Sequence, residues 1–137
     1  MTNAGSGAAI SKGSLWTGRV ISILVVLFLV LDGAMKVLRV PHVMEVSMKL
    51  GYSAGAVVGI GAVLLACTAL YALPQTAILG AILLTGYLGG AVATNLMAKS
   101  PTFNLCFAIA FGVLAWGGLF LRHAELRGLI PVRRAPR

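Results

Sequence analysis

Acidic side chains are almost absent from this chain: Asp32, Glu45 and Glu125 are the only three in 137 residues. With two histidines and two cysteines they form no cluster at metal-ligand spacing, which excludes a zinc-type centre built from this chain. Cys67 and Cys106 give no Cys-x-x-Cys pair, and they fall at different depths of different apolar runs, so neither a disulfide nor a thiol relay is expected. Neither His42 nor His123 lies inside an apolar run, which excludes a haem held by two intramembrane histidines. There is no glycine-rich phosphate cradle and no nucleophile elbow. No ring of charges or filter-like motif points to an ion channel. Charged residues of both signs make up 10% of the chain, against about a quarter in an ordinary soluble domain.

Apolar residues fill the space left by charge. They amount to 59% of the chain, with a mean hydropathy of +0.98, and fall in four blocks. Each block is near the ~20 residues needed to cross hydrocarbon as a helix. The expected fold is an all-α integral membrane four-helix bundle, with a short interfacial segment between the first and second helices. Residues 1–13, rich in glycine, alanine and serine, are expected to lack structure, because they hold too little apolar surface to order themselves. The bundle is expected over residues 14–122 and a basic tail over 123–137. The run from Val20 to Leu31 is followed by Asp32 and Lys36 without a small-x-small site, so it reads as a span and not as a cleaved leader.

The expected spans are 15–38, 53–73, 76–98 and 102–121. Pro41 should stop the first helix at or before Val40. Residues 42–50 are too few and too polar to span, and a lone strand there would leave backbone groups unsatisfied, so a short surface helix is expected. Pro74-Gln75 leaves room only for a tight hairpin between the second and third spans. The third span holds the run from Thr85 to Asn95, crowded with glycine and alanine. Small residues let helix backbones approach closely in a bilayer, so this span is expected to be internal, packed on all sides.

The net charge of +8 does not indicate nucleic acid, since the basic residues sit at span ends and in the tail, where they meet anionic lipid headgroups. The side holding the termini carries Lys12, Arg19, Arg122, Arg127, Arg133, Arg134 and Arg137. The other side carries Lys36, Arg39, Lys49 and Lys99. By the excess of positive charge, both termini are expected in the cytoplasm, with the chain multi-pass in the inner membrane.

Polar residues inside spans are costly and therefore candidates for function. Asp32 and Lys36 share a helix face at the outer end of the first span, and Tyr87, Ala91 and Asn95 form a stripe on the third. Asp32 and Tyr87 are the candidate catalytic residues; Lys36, Asn95, Trp116 and Glu45 are the candidate substrate-binding residues. The expected site is a pocket opening outward, with Tyr87 at its floor and Asp32 and Asn95 on its walls. The structural alternatives are a neutralised pair for Asp32 and Lys36, interhelical glue for Asn95, and space-filling for Tyr87 and the tryptophans.

Several segments resemble the DoxX-like family of small four-helix bacterial membrane proteins. They are Leu31-Asp32-Gly33-Ala34-Met35-Lys36, Leu50-Gly51-Tyr52, the run from Ala77 to Ala91, Trp116-Gly117-Gly118-Leu119 and Leu121-Arg122. The resemblance extends over about residues 20–132. Members of the family often carry histidine where this chain has Asn95. What the resemblance implies is a membrane subunit of an oxidoreductase system, since the family takes its name from a subunit of a thiosulfate:quinone oxidoreductase. A quinone is then the expected small-molecule ligand, and an oxidoreductase subunit the expected partner, because no electron carrier is evident in the chain. Two other readings stay open: a stand-alone enzyme doing acid–base chemistry on a lipophilic substrate, and a scaffold that binds other membrane proteins, or a second copy, through its glycine-rich faces.

Overall fold

A computed structural model describes residues 11–129. Most of the expected unstructured N-terminal segment and the arginines at 133, 134 and 137 lie outside the described residues. Six helices follow in order: α1 Lys12–Val37, α2 Pro41–Lys49, α3 Ala54–Ala72, α4 Ala77–Met97, α5 Thr102–Arg122 and α6 Ala124–Leu129. There is no strand among the described residues. Four of the helices (α1, α3, α4 and α5) are long and apolar enough to cross a membrane, and they form the expected all-α bundle. We call the face that carries the start of α1, the α3–α4 turn and α6 proximal, and the opposite face distal.

Capping chemistry sets the ends. Ser11 accepts a hydrogen bond from the Ser14 backbone N–H and starts α1 three residues before Leu15. Pro41 starts α2, where its missing N–H is no loss, so the proline that was expected to stop one helix also opens the next. Three helices close at the distal face with the residue after the C-cap in the left-handed region: Arg39 (φ 57°), Gly51 (φ 99°) and Lys99 (φ 53°). In each, the following N–H returns to the last turn: Val40 to Met35 O, Tyr52 to Ser47 O and Ser100 to Asn95 O.

The transmembrane helices form a ring. α1 packs on α3 and α5, α4 packs on the same two, and the backbones of α1 and α4 do not approach each other. The close contacts run through glycines. On the proximal half, Gly18 of α1 lies against the Gly118 carbonyl of α5, and Gly80 of α4 lies against the Tyr71 backbone of α3. On the distal half, Gly33 of α1 and Gly61 of α3 are in mutual backbone contact. The proximal half is therefore shut on two sides, whereas only the α1–α3 seam is shut in this way on the distal half. Leu29, Leu64, Leu84, Ala115 and Leu119 fill the centre.

A buried tyrosine braces the proximal half. Tyr71 donates from its hydroxyl to the Ala115 carbonyl at 2.7 Å and shares a 3.2 Å hydrogen bond with Ser22. It thus links α3, α5 and α1 through one polar group, and its own bonding needs are met inside the bundle.

One expectation is corrected. α4 is not an internal helix: Ile78, Leu79, Ile82 and Leu83 are exposed on it, and a Cβ added at Gly86, Gly89 or Gly90 would meet nothing within 4 Å. Gly86, Gly89 and Gly90 do not mediate the packing of the bundle; on α4 that contact falls to Gly80, outside the run from Thr85 to Asn95. The glycines that do are spread over all four long helices.

Candidate distal pocket

Because the distal half is held together mainly along α1 and α3, a cavity of about 540 Å³ opens between the helices there. This lies within the ~300–1,000 Å³ usual for small-molecule sites. α2 lies across its distal end, contributing His42, Val43, Val46, Ser47 and Leu50 to the lining.

Four of the six residues picked out from sequence line this cavity: Asp32 and Lys36 from α1, Tyr87 and Asn95 from α4. The α1 pair is an ion pair one helical turn apart, with both partners partly buried. Asn95 donates one amide hydrogen to the Ala91 carbonyl at 2.8 Å, which among the described residues leaves its second N–H and its oxygen available. Tyr52, between α2 and α3, shares a 2.7 Å hydrogen bond with Thr94 of α4 and so ties the α3 side to α4 where no glycine contact does. Among the described residues none of these bonds reaches the Tyr87 hydroxyl, which remains as a donor on the cavity wall.

The opposite wall is aromatic. Phe28 of α1 stacks on Phe111 of α5 with centroids 4.5 Å apart, and Phe107 meets Phe28 edge-on at 5.2 Å and Phe111 at 4.8 Å. These rings fill the gap between α1 and α5 on the distal half. The lining is thus mostly hydrocarbon and aromatic, with a polar strip along α1 and α4 that is joined by His42 and Ser47 of α2, by Tyr52, and by Asn104 of α5. Its carboxylate and ammonium pair with each other, so the strip carries no net charge from α1.

Glu45 and Trp116 are not at this site. Glu45 pairs with Lys49 at 3.5 Å on the exposed face of α2, with two-thirds of its side chain open to solvent; it lies on the side of α2 turned from the cavity. Trp116 is on the proximal half of α5, where its indole N–H donates to Thr85 at 2.7 Å. It lines a separate groove between α4 and α5.

Tyr52, Thr94 and the phenylalanines were not singled out from sequence, although two signals were there. Phe103, Phe107 and Phe111 recur every four residues, which places them on one helix face. Tyr52 stands just after the glycine that ends α2. Among the described residues no group of three His, Cys, Asp or Glu is placed to hold a metal ion.

A family model described as the DoxX-like family matches residues 20–118, a stretch that runs from the third turn of α1 to near the end of α5 and includes Asp32, Lys36, Tyr87 and Asn95. No curated protein and no solved structure matches the chain.

Proposed function

The chain belongs to the DoxX-like family, and from that premise we propose that it binds a small, uncharged lipophilic molecule of the quinone class in the distal pocket, as the membrane subunit of an oxidoreductase system. One observation carries the reading. α1 and α4 make no backbone contact, yet Asp32 and Lys36 of α1 line the same cavity as Tyr87, Thr94 and Asn95 of α4. Polar groups placed in a bilayer only to glue helices would be expected at a helix–helix contact. These stand apart across a space of ligand size.

A quinone supplies two-electron redox chemistry at two ring carbonyls. Tyr87, the second amide hydrogen of Asn95 and the Lys36 ammonium are the donors that would hold those oxygens. Phe28 and Phe111 offer faces for the ring, and Asp32 is the group able to take or give a proton beside it. Electrons would have to come from a partner protein carrying a redox group. In this reading the protein sits in the inner membrane, with the proximal face and both termini cytoplasmic and the pocket opening away from the cytoplasm.

The test is mass spectrometry of the protein purified gently from its own membranes, together with whatever copurifies. The reading expects a quinone or related lipophile in near-stoichiometric amount and a cofactor-bearing partner. Finding neither would overturn it.

Asp32 and Tyr87 on one cavity also support a second reading, a stand-alone enzyme that uses them as an acid–base pair on a lipophilic substrate. That reading needs no partner. It expects Asp32→Asn to abolish turnover while the folded protein stays abundant in the membrane.

A further inference from the structure

The groove between α4 and α5 extends from just past the middle of the bundle to its proximal end, and its character differs from that of the pocket, with which it shares Leu88 and Ala108. It runs between α4 and α5 with a volume of about 720 Å³. Leu88, Gly89, Gly112, Val113 and Gly117 give it an apolar floor and walls. Its polar atoms are already satisfied: the Trp116 indole N–H donates to Thr85, and Thr85 donates to the Ala81 carbonyl. The groove therefore asks nothing of its occupant but hydrocarbon.

Its length and its ends narrow the choice. On α5 the lining runs from Ala108 to Phe120, about 18 Å at ~1.5 Å per residue. That is a little more than one leaflet of a hydrocarbon core ~30 Å thick. It stops short of the distal ends of both helices; the α4 wall reaches only to Thr85, while the α5 wall continues to the proximal end, where Phe120 and the buried Leu126 of α6 close it. At that end stands a fixed cation. Arg127 donates from Nε to the Phe120 carbonyl at 3.0 Å and from Nη2 to Ser14 Oγ at 2.8 Å, and its guanidinium lies 5.6 Å from the Phe120 ring centroid. Among the described residues Nη1 makes no hydrogen bond. Arg122 is turned away from the groove, with its stem against Gly18 of α1, so among the described residues Arg127 is the cation beside Phe120. Glu125, two residues earlier on α6, is exposed.

We propose that this groove holds one acyl chain of an anionic phospholipid from the proximal leaflet, with the lipid phosphate on the Arg127 guanidinium. A chain of one-leaflet length fits a trench of one-leaflet length. The charge sits at the end where the headgroup would lie, and Arg127 is held in place by backbone acceptors before any lipid arrives. The alternative occupant, a helix from a second copy, would use the small residues but has no call for a cation at one end.

The experiment is native mass spectrometry of the full chain released from mixed micelles of phosphatidylglycerol and phosphatidylcholine. The wild type should retain one phosphatidylglycerol, preferred over phosphatidylcholine by about fivefold, the factor expected for one cation near the membrane surface. Gly117→Leu should lose the bound lipid. A Cβ at Gly117 meets nothing within 4 Å, so the side chain enters the trench without disturbing the bundle, and Gly117→Ala should retain the lipid. Arg127→Gln should erase the headgroup preference, and Arg127→Lys should keep it. A monodisperse Gly117→Leu protein that holds the lipid as well as the wild type would overturn the proposal. So would a wild type that does not distinguish the two headgroups. A dimer that Gly117→Leu abolishes would reassign the groove to a second copy.

Discussion

At the scale of single residues, binding depends on which polar groups face the cavity and which are already spent. Tyr87 lines the cavity with its hydroxyl uncommitted among the described residues, so Tyr87→Phe removes a donor without changing volume. It should weaken ligand binding by roughly fivefold, the worth of one neutral hydrogen bond at about 1 kcal/mol, and leave thermal stability unchanged; ligand titration and a melting curve check the two halves. Trp116→Phe should do the reverse. It breaks the bond to Thr85 on the proximal half and should leave ligand affinity within twofold of the wild type. Lys99 makes a separate prediction. Its backbone holds the left-handed place after α4 (φ 53°), a conformation that costs a side-chain-bearing residue roughly 1–2 kcal/mol. Lys99→Gly should therefore raise the melting temperature, and a fall would show that the lysine ammonium does more for that helix end than its backbone costs.

At the scale of the helices, the contrast among glycines is the sharpest consequence of the ring. A Cβ on Gly80 would overlap the Tyr71 backbone, whereas one on Gly86 finds open space, though both lie on α4. Gly80→Ala should destabilise the protein by ~1–3 kcal/mol, the usual cost of overpacking; Gly86→Ala should be neutral or mildly stabilising, since alanine is the better helix former. Melting curves in detergent separate the two. This is also where the sequence was least legible. In a soluble helix the core face announces itself by its apolar stripe, but lipid is as apolar as a protein core, so Ile82 facing out and Leu84 facing in look alike in sequence. The spans, the hairpin at Pro74 and the short surface helix could be read because hydrocarbon thickness and proline geometry impose them. That Gly33 meets Gly61 while Gly86 meets nothing could not be read, because it depends on how the helices are arranged around the ring.

At the scale of the whole molecule, the four long helices are drawn together by two glycine seams on the proximal half and by one, between α1 and α3, on the distal half, with α2 over the opening there. The convergence of Asp32, Lys36, Tyr87 and Asn95 was legible because a polar residue inside a span is conspicuous and helix depth follows from residue count. The aromatic wall was not, because Phe28, Phe107 and Phe111 look like any lipid-facing residues until α1 and α5 are set side by side. The positive charges fix the expected orientation. A reporter active only outside the cytoplasm should be silent when fused after Arg137 and active when inserted within α2, and the opposite pattern would turn the pocket toward the cytoplasm.

The central claim is that the distal cavity is a binding site for an uncharged lipophile, and a pocket-filling variant addresses it without knowledge of the natural ligand. Ala91 lines the cavity between Tyr87 and Asn95, so Ala91→Phe fills it from the wall. The measurement is equilibrium binding of a short-chain quinone to the purified full chain and to this variant, both shown to be monodisperse and helical. The account predicts saturable binding of one quinone per wild-type chain, lost in Ala91→Phe. Equal binding by the two proteins, or no saturable binding by the wild type, would contradict it.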